Sequence, residues 1–346
     1  MPASAVAGPM TRRSVLAFGI AALATVPAVA ADAAERRVVA RRLADVVRRE
    51  YQDPVRAEAM ADAIAARLSA GAYDTTLSDP AFAATLTADL RSVTADRHLA
   101  VMANLPADAP KLSADPLYAL RRNYGVRGVR VLRGNVGVIE LDFAPNLSLG
   151  DAIVERYAAA MALVQDTRAL IVDVRGHIGG EPETVAYFAS YFFERPSFVV
   201  NRIRYRNQAT VDYWTVVAPR GAKYGETRPV FVLTSGDTFS GGEELAYDLQ
   251  ATGRGRVVGG RTGGGAHPNE AFDIGHGFAA LVPVGAALNP VTGSNWEGQG
   301  VTPDTQTQPG EALDAAWRLA LEAALGQASS ADERRSIAQA IAALPK

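Results

Sequence analysis

The chain has 346 residues, 48% of them hydrophobic and 21% charged, with a formal net charge of −2. Such a composition excludes a disordered chain and gives no basic excess for a polyanion, so no nucleic-acid partner is expected. The sequence contains no cysteine, which removes disulfides, thiol catalysis and cysteine-ligated metal sites together.

Residues 1–30 read as a leader rather than part of the fold. Arg12-Arg13 precede an apolar run from Ala17 to Ala24, and Ala28-Val29-Ala30 has the small-x-small form of a cleavage site. Paired arginines before a modest apolar stretch look like a twin-arginine export signal, which predicts a periplasmic or secreted protein. An ordinary secretory leader and an uncleaved anchor are the other readings. The run is short and alanine-rich for a membrane span, so no stable span is expected in the mature chain.

From residue 35 to about 105 the pattern is helical. Val38, Val39, Leu43, Val46 and Val47 form one apolar face, and Arg36, Arg37, Arg41, Arg42, Arg48 and Arg49 predict a solvated basic face. Asp53-Pro54 and Asp79-Pro80 start two further helices, ending near Ala70 and Val93. A proline-containing link runs from Leu105 to Pro116. The chain then alternates: strand Val136–Phe143, helix Leu149–Val164, strand Ala169–Val174, helix Pro182–Phe193 and strand Phe198–Tyr205. Later elements are Val230–Leu233, Val257-Val258, the strand Phe278–Val284, a helix Glu311–Leu325 and a polar terminal helix Ser330–Leu344. Repeated strand–helix alternation argues for an α/β core that binds ligands at its strand ends.

The most informative stretch is Val230 to Leu249. An apolar strand ends in the turn Ser235-Gly236-Asp237, and Leu245 and Leu249 mark the helix beyond it. Ser240 stands where that helix begins, with Gly241 and Gly242 behind it to let another backbone come close. Ser240 with Glu243 also makes a Ser-x-x-Glu capping box, which needs no chemistry at the serine.

Three further groups bear on Ser240. Asp173-Val-Arg-Gly-His-Ile-Gly-Gly180 is a strand ending in a Gly-Gly turn, whose successive N–H groups could hold an oxyanion or merely turn the chain. Among possible bases there are four histidines, His98, His177, His267 and His276, whereas the lysines beyond the leader are Lys111, Lys223 and Lys346. None of those lysines lies in the glycine loop, so a histidine is the preferred base. Glu297, in a glycine-rich turn beside Trp296, could orient an imidazole or simply face solvent. His267 and His276 match no zinc signature, and the loop Gly259–Gly265 lacks the Gly-Lys-Ser/Thr ending of a phosphate loop. Neither a metal nor a cofactor is expected.

Taken together, these segments resemble the tail-specific (C-terminal processing) serine peptidases, in the branch of interphotoreceptor retinoid-binding protein and the tricorn core protease. The matching pieces are Asp96-Arg-His98, Asp173 to Gly180, Thr234 to Glu243, Gly260 to Pro268 and Trp296 to Asp304. The resemblance implies an α/β core of β-β-α units like that of crotonases and Clp proteases. It divides the chain into a helical domain over 31–110, a peptidase core over 111–328 and a C-terminal helix over 329–346. The stretch between His98 and Val136 is too short for a PDZ domain, so none is expected. Carried over by position, Ser240 is the nucleophile, His98 the base and Glu297 its orienting carboxylate. The oxyanion donors are the N–H of Gly241 and one from Gly179 or Gly180. The lysine-using branch has Gly-Lys-Gly where this chain has Gly263-Gly264-Gly265, and the usual asparagine of the oxyanion turn is His177. The implied activity is peptidase action through an acyl-enzyme on a peptide or protein substrate. The alternative is a binding protein for an apolar, retinoid- or lipid-like ligand.

Overall fold

A computed structural model describes residues 31–75, 77–105, 111–308 and 310–344. The leader expected over residues 1–30 lies outside them. Three helices come first: α1 (Ala33–Glu50), α2 (Pro54–Ser69) and α3 (Asp79–Val93). Their starts are set by local chemistry. Asp32 and Glu35 exchange side-chain-to-backbone bonds of 2.9 Å in a capping box, and Asp53 accepts from the Val55 and Arg56 N–H groups ahead of Pro54. The basic face of α1 is not uniformly solvated. Arg36 is buried and donates to the Leu77 carbonyl, whereas Arg48 pairs with exposed Glu58 and Asp62.

The chain continues through β1 (Ala100–Ala103), α4 (Pro116–Arg121), β2 (Val126–Leu132), β3 (Val136–Leu141), α5 (Ala152–Val164), β4 (Ala169–Asp173) and α6 (Pro182–Ala189). Then come β5 (Val199–Tyr205), β6 (Val211–Trp214), β7 (Val230–Thr234), α7 (Gly241–Ala251) and β8 (Arg256–Gly259). The last elements are β9 (Asn269–Gly275), β10 (Phe278–Pro283), β11 (Gly285–Leu288), β12 (Thr305–Gln306), α8 (Ala312–Gly326) and α9 (Ala331–Ala342).

A six-stranded sheet in the order β12-β8-β7-β4-β3-β2 carries the core; all its neighbours are parallel except β2 on β3. Strand alternation sends the side chains to two faces. Leu170, Val172, Val230 and Val232 pack with Ile153, Tyr157, Phe188 and Leu249 on one side. Ile171, Phe231 and Leu233 pack on the other against Ala312, Ala316, Ala320 and Ala324. Those four alanines share one stripe of α8 and let it lie close to the sheet. Truncating Phe231 to alanine there would cost about 3–5 kcal/mol.

Two small antiparallel sheets, β1-β10-β9 and β11-β5-β6, flank this core. The first joins the N-terminal helices, because Ile274, Phe278, Ala280 and Val282 share a cluster with Leu43, Phe82 and Leu86. The helical region is thus completed by a hairpin from far along the chain. That hairpin also anchors the segment leaving α3, since Val101 of β1 pairs with Ala280 of β10. The architecture is a mixed α/β core with an N-terminal helical region, and no PDZ module is present among the described residues.

Candidate active site

Parallel strands β4, β7 and β8 end at the same edge, so the loops that leave them meet. Thr238 Oγ1 donates to the Val174 carbonyl, Ser235 Oγ to the Arg175 carbonyl and Gly263 N–H to the Thr238 carbonyl. This web holds a sharp turn into α7. Ser240 has φ 52° and ψ −119°, a conformation that a side chain rarely adopts. Such a residue stores on the order of 1–3 kcal/mol, maintained only because its surroundings over-determine it.

Glu243 supplies much of that constraint. It is fully buried, and its carboxylate accepts from Ser240 N–H (2.8 Å), Gly265 N–H (2.8 Å), Gly264 N–H (2.6 Å) and Thr262 Oγ1 (2.5 Å). The Ser-x-x-Glu pair therefore does bond back to the helix start. The same carboxylate also ties down the glycine loop, which the capping pattern alone did not indicate. Burial raises the Glu243 pKa, and the four donors oppose the rise.

The glycines around Ser240 are required by contact. A Cβ on Gly179 would stand 2.8 Å from Ser240 Cβ, and one on Gly242 would stand 2.7 Å from His177 Cβ. A Cβ on Gly241 would lie 3.3 Å from the Gly180 nitrogen, so the two amides are neighbours. Gly179 N–H donates to His177 Nδ1 at 3.1 Å, which leaves Gly180 as the partner for Gly241. Burial pushes His177 down to about 3, so it is the neutral imidazole such an acceptor must be. His177 thus supports the turn rather than acting as a base.

His98 reaches this turn from between α3 and β1. It is 4% exposed, and its ring packs on Phe239, the residue before Ser240, at 4.7 Å between centroids. The neighbouring Arg97 guanidinium lies 5.2 Å from the same ring and donates to the Gly263 carbonyl at 2.9 Å. Phe239 therefore keys the upstream segment onto the serine turn. A Cβ on Gly265 would lie 2.7 Å from His98 Cε1, which explains the missing side chain there. Burial is the main cause that pushes His98 down to about 4, so the ring is neutral at physiological pH.

The carboxylate beside His98 is Asp96. Its Oδ1 accepts the His98 backbone N–H at 2.9 Å and lies 3.9 Å from His98 Nδ1. Its Oδ2 is 2.7 Å from His267 Nδ1 and accepts from Tyr51 at 3.1 Å. Glu297, expected to orient His98, has its contacts elsewhere: Ala266 N–H at 2.6 Å and His267 Nδ1 at 3.5 Å. The chain Glu297–His267–Asp96–His98 thus inserts two residues where the motif suggested a direct contact. Burial lowers the His267 pKa, but the bond to Asp96 and the charge of Glu297 outweigh it and the net direction is up. Burial and Asp96 push Glu297 up to about 7, against the opposing His267.

Asp96, His267 and Glu297 are also the group among the described residues whose ligand atoms could surround a cation. His276, the remaining histidine, pairs with Glu35 at 3.2 Å.

Ser240, His98, Gly179, Gly180 and Gly265 line one cavity of about 200 Å³. A serine on a strained turn, a neutral histidine and two adjacent amides are the parts of an acyl-transfer site. Residues 135–307 match peptidase family S41, and residues 21–120 match the N-terminal domain of peptidase S41 in eukaryotic IRBP. The chain belongs to peptidase family S41. A candidate peptidase from Parabacteroides merdae is similar over 87% of this chain and 100% of its own, with 19% identity and a TM-score of 0.60. A lipoprotein from Streptococcus agalactiae is similar over 85% of this chain and 98% of its own, at 14% identity and a TM-score of 0.53. Tricorn protease matches 82% of this chain at 14% identity and a TM-score of 0.52, over 35% of its own length. At these identities the structural likeness speaks for a shared fold. It agrees with the α/β core and N-terminal helical region that the resemblance implies. In the Asp96-to-His98 and Gly260-to-Pro268 motifs, Asp96 and His267 were visible as letters; their bond was not.

Proposed function

We propose that the protein is an exported serine peptidase that works through an acyl-enzyme on Ser240. The observation that carries this reading is the strained backbone of Ser240, in one cavity with His98 and Gly180. Neutral His98 takes the Ser240 proton as Oγ attacks a peptide carbonyl. The developing oxyanion receives the N–H groups of Gly241 and Gly180. His98 then returns the proton to the departing amine, and water resolves the ester. Asp96 steadies the transient imidazolium. Glu297 acts at one remove, through His267, to hold Asp96 in its ionised form.

Peptide hydrolysis by residues 31–346 tests the reading. Ser240→Ala and His98→Ala should each lower kcat about 10⁴-fold. Full activity in either variant would refute it. We further propose that residues 1–30 are a twin-arginine-like leader directing the chain to the periplasm or beyond, tested by N-terminal sequencing of the protein recovered from each compartment. The alternative of an apolar-ligand carrier is less well supported. The cavity brings Ser240 and His98 together, and its largely apolar lining is interrupted by buried Asn201 and Glu244.

A further inference from the structure

The cavity beside Ser240 has an acidic section that the acyl-transfer chemistry does not use. Glu244 lies one turn of α7 beyond Ser240, its N–H bonded to the Ser240 carbonyl at 2.9 Å. Its side chain is 3% exposed, and Oε1 has no hydrogen-bond partner. Asn201 of β5 is 1% exposed, and neither its Oδ1 nor its Nδ2 has a partner. Both residues line the cavity, as do Tyr205, Tyr213 and Glu181. Glu181 stands next to the oxyanion glycine in the chain and is held by Ser113 Oγ at 2.5 Å.

Buried polar atoms without partners are costly and therefore uncommon. Here they come from a helix and a strand that both line the cavity beside Ser240. Burial and the charge of Glu181 push Glu244 up to about 8, although Asn201 lies near enough to oppose the rise. Asp248, buried behind it, is raised by burial and by Glu244. The one cationic side chain among the described lining residues, Lys111, is exposed. The section thus holds the unpartnered acceptors Glu244 Oε1 and Asn201 Oδ1, next to the donor Asn201 Nδ2 and the hydroxyls of Tyr205 and Tyr213.

We propose that this section is a specificity pocket for a cationic side chain, lysine or arginine, of the peptide acylated at Ser240. Such a side chain carries only donors on its head group. Its carbon stem would lie along Ile203 and Ala287, also in the lining. Glu244 stands about 6 Å along the helix from Ser240, one turn of rise, which suits the reach of a lysine or arginine from the reacting carbonyl. Glu244 Oε1 and Asn201 Oδ1 would take the ammonium or guanidinium hydrogens. The pocket rests on the reading of Ser240 as nucleophile only for its place in catalysis, and its binding can be tested without turnover.

The first arm compares peptides that differ at one position, arginine, lysine, norleucine or glutamate. Wild type should favour arginine or lysine over norleucine by 100-fold or more in kcat/KM, and Glu244→Gln should reduce this below 5-fold while norleucine peptides are still cleaved. The second arm measures binding of butylguanidine and n-butylamine to Ser240→Ala by calorimetry, with and without Glu244→Gln, and a melting curve verifies folding. Saturable binding lost in the double variant supports the pocket even if no peptide is cleaved, in which case the peptidase reading alone fails. Cleavage with no basic preference, or binding unchanged by Glu244→Gln, overturns the pocket and leaves the peptidase reading standing.

Discussion

Replacing Glu243 by glutamine isolates the tie that holds the serine turn to the glycine loop. The carboxylate accepts four hydrogen bonds, from Ser240, Gly264, Gly265 and Thr262. A glutamine of the same shape keeps one acceptor oxygen and turns an NH₂ group toward two of those donors. Two charge-assisted bonds are then lost, and two buried donors are left unmatched. At about 1.5–3 kcal/mol per bond to a charged group, the gross loss is about 3–6 kcal/mol. Relief of the desolvated charge returns part of this, because burial itself raises the Glu243 pKa. The expected net destabilisation is about 3 kcal/mol. Urea unfolding measures it as a fall in midpoint at constant slope. Peptide cleavage should fall as well, since Ser240 φ and the Gly265 contact with His98 depend on the same carboxylate. A change below about 0.5 kcal/mol, the usual size of surface substitutions, would refute the argument that Glu243 enforces the strained turn.

The same geometry gives three other expected outcomes. Gly265→Ala puts a methyl 2.1 Å from Phe239 Cζ and 2.7 Å from His98 Cε1; kcat should fall about 100-fold, because a displacement near 1 Å is enough for that, and steady-state kinetics on a peptide would show it. His267→Ala leaves Asp96 as a buried charge without its ion-pair partner, with an expected loss of about 3–5 kcal/mol in urea unfolding. It also removes a charge that lowers the His98 pKa, so the acid limb of kcat/KM should move to higher pH. For stability, His98 and His177 are depressed to about 4 and about 3, below their unfolded value near 6.5. The unfolded chain binds the extra protons, so stability is intact above that value and falls on acidification toward pH 4. Each histidine contributes a slope of about 1.4 kcal/mol per pH unit there. Titration of unfolding free energy against pH in His177→Asn should show a shallower slope than wild type.

The central parallel strands β4 and β7 were legible because they are buried on both faces and read as apolar runs, Ala169–Asp173 and Val230–Thr234. The antiparallel strands β1 (inside the stretch read as helical), β2, β6, β9 and β11 were not, nor was the two-residue parallel strand β12. Asn269–Gly275 keeps only its last two residues buried, and Val211–Trp214 buries none despite holding Val211, Tyr213 and Trp214, so neither short run shows a buried period to read. Of these, β11 pairs far away in sequence, with β5, whereas β2, β6 and β9 pair with their chain neighbours β3, β5 and β10. The site divides the same way. Ser240, the glycine turn and His98 stood in short motifs with a chemical reason for each residue. The Asp96–His267 bond joins residues 171 positions apart, and no local pattern announces it. Asn201 lies in Val-Val-Asn-Arg-Ile-Arg-Tyr, where a lone amide reads as one more surface residue, yet it is 1% exposed.

Site-specific trapping tests the central claim most directly. Residues 31–346 would be treated with an alkyl fluorophosphonate and the adduct mapped by mass spectrometry. One adduct per chain is expected, on Ser240, formed far more slowly in His98→Ala. An unlabelled Ser240 in the folded protein, or labelling that ignores the loss of His98, would contradict it.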